Sequence, residues 1–290
     1  MVWLRKYIER ILAYFADDFR EPESVRIFFK ALVIYTLVKM ILIWPVCRVM
    51  MPHHTLSLPS SIPGRIFLAP AFLANRYPDI FFVLGICLVL AMLFVRSGIA
   101  LRALFFCLTF NLYIVGFPIS DGADVVLFML GLWSIPLVQP GQFKSPAIQL
   151  IRMVLFNLAL FFAQLQIVFI YAVSGLDKLL NETWRSGKAF AYIEHLEFLY
   201  NPVLPGFFGN PFWNVIFSWS TMLFELLFTL LIWNSRIRLP LLLVGTVFHL
   251  FIFVVLSLPD FAVIMILSYL IFLRDSDYRK IKSWIRPALL

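Results

Sequence analysis

Eight stretches of mostly apolar residues, most of them close to 20 residues long, constrain this chain more than any other feature. A helix needs about 20 apolar residues to cross a bilayer. The stretches fall at about 27–46, 79–95, 98–118, 121–139, 147–176, 212–233, 238–257 and 259–273. The second, fourth and eighth are short or start with polar residues. Backbone amides inside hydrocarbon must bond internally, so spans of this kind are helices. The expected fold is an all-α, polytopic transmembrane helical bundle of about eight spans. The chain is 62% hydrophobic and only 14% charged, which fits one bundle and leaves no room for a large soluble domain.

The net charge of +8 does not point to nucleic acid. Lys and Arg sit in short clusters between apolar runs, where they set topology. With the N-terminus inside, sixteen of the 24 Lys and Arg fall on inner segments and six on outer ones; Lys30 and Lys39 lie within the first span. The expected arrangement is a multi-pass protein of the cell membrane, both termini cytoplasmic, with 177–211 on the outer face.

Outside the spans, three regions are expected. Residues 3–19 read as an amphipathic helix, with Leu4, Ile8, Ile11 and Phe15 at helical spacing beside Arg5, Lys6, Glu9 and Arg10. Such a helix lies in the interface plane, and no signal-peptide cleavage pattern follows it. This gives an interfacial segment over 1–26, a membrane domain over 27–275 and a basic tail over 276–290. The Pro- and Ser-rich loop 51–79 has no clear period and leaves room for a re-entrant or interfacial piece. Cys47, Cys87 and Cys107 have no paired spacing and read as packing residues. His53 and His54 read as a solvated loop pair, and no metal site is expected.

Polar chemistry concentrates in "YAVSGLDKLLNETWRSGKAFAYIEH", residues 171–195. Along the preceding span Asn157, Gln164, Tyr171 and Lys178 recur every seven residues, with Ser174 near the same face. Each step of seven drifts by only about 20° around a helix. One reading is interhelical hydrogen-bonding glue ending in a snorkelling lysine. The other is a polar seam facing a pocket, with Lys178 at its mouth and able to act as a base. Asp177 is a potential partner for that lysine, although helix neighbours point about 100° apart. Gly175 would admit a close helix or ligand, Gly187 a chain reversal, and Trp184 and Tyr192 an interfacial anchor.

Two further ionisable residues lie inside apolar runs. Glu225 and His249 sit on consecutive helices at depths that differ by about 4–5 Å. They are expected to pair, either as core structure or as a relay element. Asp121 reads as a helix cap, and Asp124, three residues further on, as a second cavity-lining candidate on the Lys178 side.

Tyr171, Ser174, Gly175, Leu176, Lys178, Leu179, Trp184, Gly187, Ala189 and Tyr192 together resemble the signature of the HTTM superfamily, which includes vitamin K-dependent γ-carboxylase and its bacterial relatives. Glu225, the basic turn "SRIR", Phe248-His249-Leu250, "LIFL" and the upstream "DGAD" fit the same pattern, over residues 110–275. The resemblance implies that Lys178 is a base deprotonating a hydroquinone, and that a quinone or reduced naphthoquinone is the cofactor. Asp177 stands where the carboxylase has a second lysine, and the carboxylase's large lumenal domain has no counterpart here. Bundle-only bacterial members include a group similar to the membrane component that matures the sporulation-delaying peptide toxin. That likeness implies a small exported peptide and a small partner protein, besides the lipid bilayer. An enzyme on a quinone-like lipid or exported peptide, and a non-catalytic membrane partner, both remain open. A transporter ranks below them, since no inverted repeat or pair of broken helices is visible.

Overall fold

The computed structural model describes residues 15–16, 18–50, 60–116, 119–138, 145–196 and 210–279. Most of the expected interfacial helix 3–19, the His53–His54 pair and most of the basic tail lie outside them. Among the described residues every regular element is a helix. Four are long and apolar enough to cross a membrane: α1 (Pro22–Met50), α7 (Pro146–Leu180), α10 (Pro211–Leu231) and α11 (Arg238–Val255). Four shorter apolar helices are α4 (Pro78–Phe94), α5 (Ile99–Val115), α6 (Gly122–Ser134) and α12 (Pro259–Ser268), the last running on as a 3-10 turn, Tyr269–Phe272. Each expected span meets one of these helices. The fourth is shorter than expected because Pro136 follows its end and has no N–H to donate back into the helix.

The Pro-rich loop contains two short helices, α2 (Ile62–Phe67) and α3 (Ala69–Arg76), each with proline near its start. Another two, α8 (Glu182–Arg185) and α9 (Ala189–Ile193), lie in the polar stretch. Large apolar side chains point outward along the long helices; Ile34, Val38, Ile41 and Leu42 of α1 are 49–69% exposed. Apolar surface on that scale belongs against lipid tails.

The chain forms two compact units, one of residues 1–162 with 274–290, the other of residues 163–273. Helix α7 contributes to both. In the first unit α1 packs along α4. Trp44 stacks on Phe82 at 5.9 Å and donates to Asp79 Oδ1 at 2.8 Å, and Gly85 leaves room for the end of Met40. Helix α5 packs on α6 through Gly131, where an added Cβ would meet Thr109. Asn111 of α5 accepts from the Ala71 amide and donates to the Phe67 carbonyl, holding the α2–α3 segment. The free amides at the start of α1 are capped from far along the chain: Glu23 and Ser24 donate to the Asp275 carboxylate, and the Asp275 amide donates to Glu21.

In the second unit an aromatic core builds on Phe228. Its ring lies 4.2 Å from Tyr171 and 5.6 Å from Tyr269. Phe224 packs on Phe248 at 4.8 Å, and Phe217 stacks on Phe251 at 4.9 Å. Gln164 donates to the Ile271 carbonyl at 2.8 Å, satisfying an acceptor of the 3-10 turn.

Candidate functional site

The second unit holds a half-open cavity of about 210 Å3. Its wall is mostly aromatic and aliphatic, including Trp184, Phe190, Phe248 and Phe261. Into it come Tyr171, Ser174 and Lys178 of α7, Glu225 of α10 and His249 of α11. The α7 residues are three and four apart, one above another on one face of the helix.

Two polar assemblies occupy this wall. In the first, Lys178 Nζ lies 3.0 Å from Glu225 Oε1 and also donates to Ser174 Oγ, whose hydroxyl in turn donates to Glu225 Oε1 at 3.1 Å. Gly175 brings the helices this close: a Cβ there would meet Leu226 and the Glu225 Cβ at 3.1–3.2 Å. The ammonium also lies 5.1 Å from the centre of the Trp184 ring, a cation–π distance. Asp177 is exposed and does not take the lysine, whose partner is Glu225.

The second assembly is a chain of three groups. The Tyr171 hydroxyl lies 2.6 Å from His249 Nε2 and also bonds to the Tyr269 hydroxyl. Two proton arrangements satisfy it. Either Tyr269 donates to Tyr171 and Tyr171 to Nε2, leaving the proton on Nδ1, or Nε2 donates to Tyr171 and Tyr171 to Tyr269, leaving Nδ1 bare. The two differ by whether the free ring nitrogen is a donor or an acceptor. Gly245, one turn before His249, makes the chain possible. Its missing side chain leaves the space that the Tyr269 hydroxyl and the Phe224 ring occupy.

Both assemblies end in an open valence. Glu225 Oε2 and His249 Nδ1 are buried and have no hydrogen-bond partner among the described residues. Glu225 is 6% and His249 1% exposed, and both residues line the cavity. A buried polar atom left unpaired costs about 1–3 kcal/mol. Both residues carrying these atoms line one small cavity, and His249 Nδ1 is a donor or an acceptor according to the tautomer.

The expected Glu225–His249 bond does not form. Helix α7 supplies each group with a nearer partner: Lys178 and Ser174 for the carboxylate, Tyr171 for the imidazole. The expected seam is also divided. Asn157 serves the first unit, accepting from the Arg20 amide and donating to the Phe15 and Asp18 carbonyls. Gln164 is used on the Ile271 carbonyl, and only Tyr171 and Lys178 reach the cavity.

Asp124 belongs to the first unit, where its Oδ1 lies 2.7 Å from Lys39 Nζ in a buried ion pair. Its other oxygen closes a capping box with Asp121. Trp184 packs on Phe190 at 5.8 Å inside a small apolar cluster and is a wall residue, whereas Tyr192 is 61% exposed. Gly187 has φ +71°, and the Val215 backbone lies where its Cβ would be, so the reversal there needs glycine. Beyond it the Phe190 amide donates to Asn214 Oδ1. Sequence reasoning missed Tyr269 and Gly245. The one available signal was that Gly245 and His249 are four residues apart, on one helix face.

Helices of this length and apolarity, with ionisable groups turned inward on a cavity, define a multi-span α-helical membrane protein. Over 134 residues the chain is 29% identical to Sporulation-delaying protein SdpB of Bacillus subtilis (strain 168), a match covering 43% of this chain. It spans 40% of the length of that curated relative. No family model matches the chain, and no solved structure matches it. The resemblance to the HTTM superfamily therefore rests on the motif residues quoted above.

Proposed function

We propose that this chain is the membrane component of a bacterial peptide-toxin maturation system, and that the Lys178 cavity is its working site. What supports the reading is the SdpB-like sequence together with one observation: Glu225 and His249, each with a buried polar atom (Oε2 and Nδ1) that has no partner among the described residues, line the same cavity as Lys178. The volume, about 210 Å3, is below that of drug-sized pockets, so it takes one ring or one side chain. A quinone-like lipid headgroup or a residue of an exported peptide meets that limit.

Lys178 is the candidate base, but the Lys178–Glu225 pair is the working unit. An ammonium held by a carboxylate becomes a base only after its proton moves to Glu225. The substrate O–H or N–H proton then ends on Lys178, and the pair gains one proton in all. The Tyr171–His249–Tyr269 chain supplies a second group whose free nitrogen can give or take a proton. A small partner protein delivers the peptide in this reading.

The saturated contacts of Lys178 favour a second reading, in which the pair only locks α7 to α10 in a non-catalytic component. The experiment is deletion of the gene in its native host, followed by mass spectrometry of secreted peptides. Complementation uses wild type, Lys178→Arg and Glu225→Gln, with membrane levels checked. Loss of a mature peptide on deletion, restored by wild type but by neither variant, supports the working site. Restoration by Lys178→Arg leaves the non-catalytic component. An unchanged secreted peptide profile on deletion overturns both.

A further inference from the structure

The first unit carries a second cavity, of about 460 Å3, between the start of α1 and the α4–α5 turn. Four of its ten lining residues are cationic, Arg26, Lys30, Arg96 and Arg102, and none is acidic. Glu23 pairs with Arg26 at 3.4 Å on the exposed side. Like charges gathered on a concave wall repel one another and concentrate anions.

Arg102 is the unusual member. It is 2% exposed, and no carboxylate pairs with it among the described residues. One terminal nitrogen, Nη1, donates to the Ser134 carbonyl at 3.0 Å, and the guanidinium lies 3.8 Å from the centre of the Phe29 ring. Its Nε is buried without a hydrogen-bond partner among the described residues. A guanidinium fixed on both sides, with a donor unspent, is prepared for an anion. Helix α5 starts at Ile99, immediately after the lining residue Ser97 and Gly98, and no side chain caps its first amides. Those amides add further unspent donors.

The rest of the wall tells which anion fits. Phe94 and Val95 line the cavity and are 86% and 56% exposed at the end of an apolar helix. The cationic recess thus opens beside surface that belongs against acyl chains. We infer that this cavity binds the phosphate of an anionic membrane phospholipid, with Arg102 as the buried anchor and Lys30 and Arg96 closing on the phosphate from the exposed side. Free phosphate shares the chemistry but makes no use of the apolar wall. The inference is independent of the reading of Lys178.

The test uses the full chain in nanodiscs of phosphatidylcholine with increasing phosphatidylglycerol, read by thermal melting and by native mass spectrometry of retained lipid. Inorganic phosphate in phosphatidylcholine discs is the second arm. The expected result is a melting midpoint that rises with phosphatidylglycerol and one retained anionic lipid. Lys30→Gln/Arg96→Gln changes only exposed residues and should weaken retention roughly tenfold or more, since charged hydrogen bonds are being removed. Arg102→Gln should abolish retention if the variant folds; the exposed double variant keeps the test decisive if it does not. Equal stabilisation by inorganic phosphate, lost in the same double variant, upholds the phosphate site and assigns it to a soluble source. No stabilisation in either arm, or retention unchanged in the double variant, overturns the inference.

Discussion

Lys178 and Glu225 lie 47 residues apart and meet at 3.0 Å, with side chains only 17% and 7% exposed. The contact ties the end of α7 to the middle of α10 at the level of Gly175. A pair this dry is held by mutual compensation, so removing one partner strands the other.

Neutralising either residue alone should therefore cost more than neutralising both. Lys178→Met or Glu225→Gln should each lose about 3 kcal/mol of stability. The Lys178→Met/Glu225→Met double variant should recover more than half of that. SDS-induced unfolding of purified protein reads the cycle. Additive losses would mean that the two groups do not act as a pair.

The Tyr171 hydroxyl is the middle of its chain, and Tyr269 is an end. Tyr171→Phe orphans both His249 Nε2 and the Tyr269 hydroxyl, whereas Tyr269→Phe deletes one group and leaves the Tyr171–His249 bond. Tyr171→Phe should cost about 2–3 kcal/mol and Tyr269→Phe about 1 kcal/mol. The same unfolding measurement checks the order, and a reversed order would break the assigned chain.

The difference between sequence and structure is sharpest at these residues. The apolar runs located the four long and the four shorter apolar helices, because hydropathy is a property of one segment at a time. The partners of Glu225 and His249 are not such a property. Matching depth on α10 and α11 brought the two together on paper, but α7 places Lys178, Ser174 and Tyr171 closer to each. Seven-residue spacing likewise overstated the seam. A drift of about 20° per step sums to roughly 60° from Asn157 to Lys178, enough to turn Asn157 toward other neighbours. Tyr269 carries no charge and sits in a short turn, so nothing in the sequence set it apart from other aromatics.

Gly245 should not tolerate a methyl group. An added Cβ would meet the Tyr269 hydroxyl and the Phe224 ring, both inside the packed core. Gly245→Ala should cost about 1–3 kcal/mol. Adding Tyr269→Phe should return part of it by removing the obstructing oxygen. Gly85→Ala gives the contrast, because its nearest obstruction is the flexible end of Met40, and it should cost less. Equal losses at the two glycines would contradict the packing described.

Orientation follows from charge alone and can be read independently of every contact above. Lys and Arg concentrate on the segments expected inside, and on that expectation Asn181 is outside and Ser276 inside. Asn181 caps the short helix α8 with its side chain, so Asn181→Cys costs one cap on an exposed turn and leaves the long helices untouched. Ser276 lies in the helical turn 275–279, past the last apolar helix. The background must first lose Cys47, Cys87 and Cys107, of which Cys87 is already exposed. In intact cells a membrane-impermeant maleimide should then label position 181 and leave position 276 unlabelled until the membrane is opened. Labelling of 276 alone reverses the orientation. Labelling of both in intact cells means an even number of crossings between them, so that one of the three helices α10, α11 and α12 does not cross. Of these three α12 is the short one, ten residues before its 3-10 extension, so the result would single it out as a helix that enters the bilayer without crossing it.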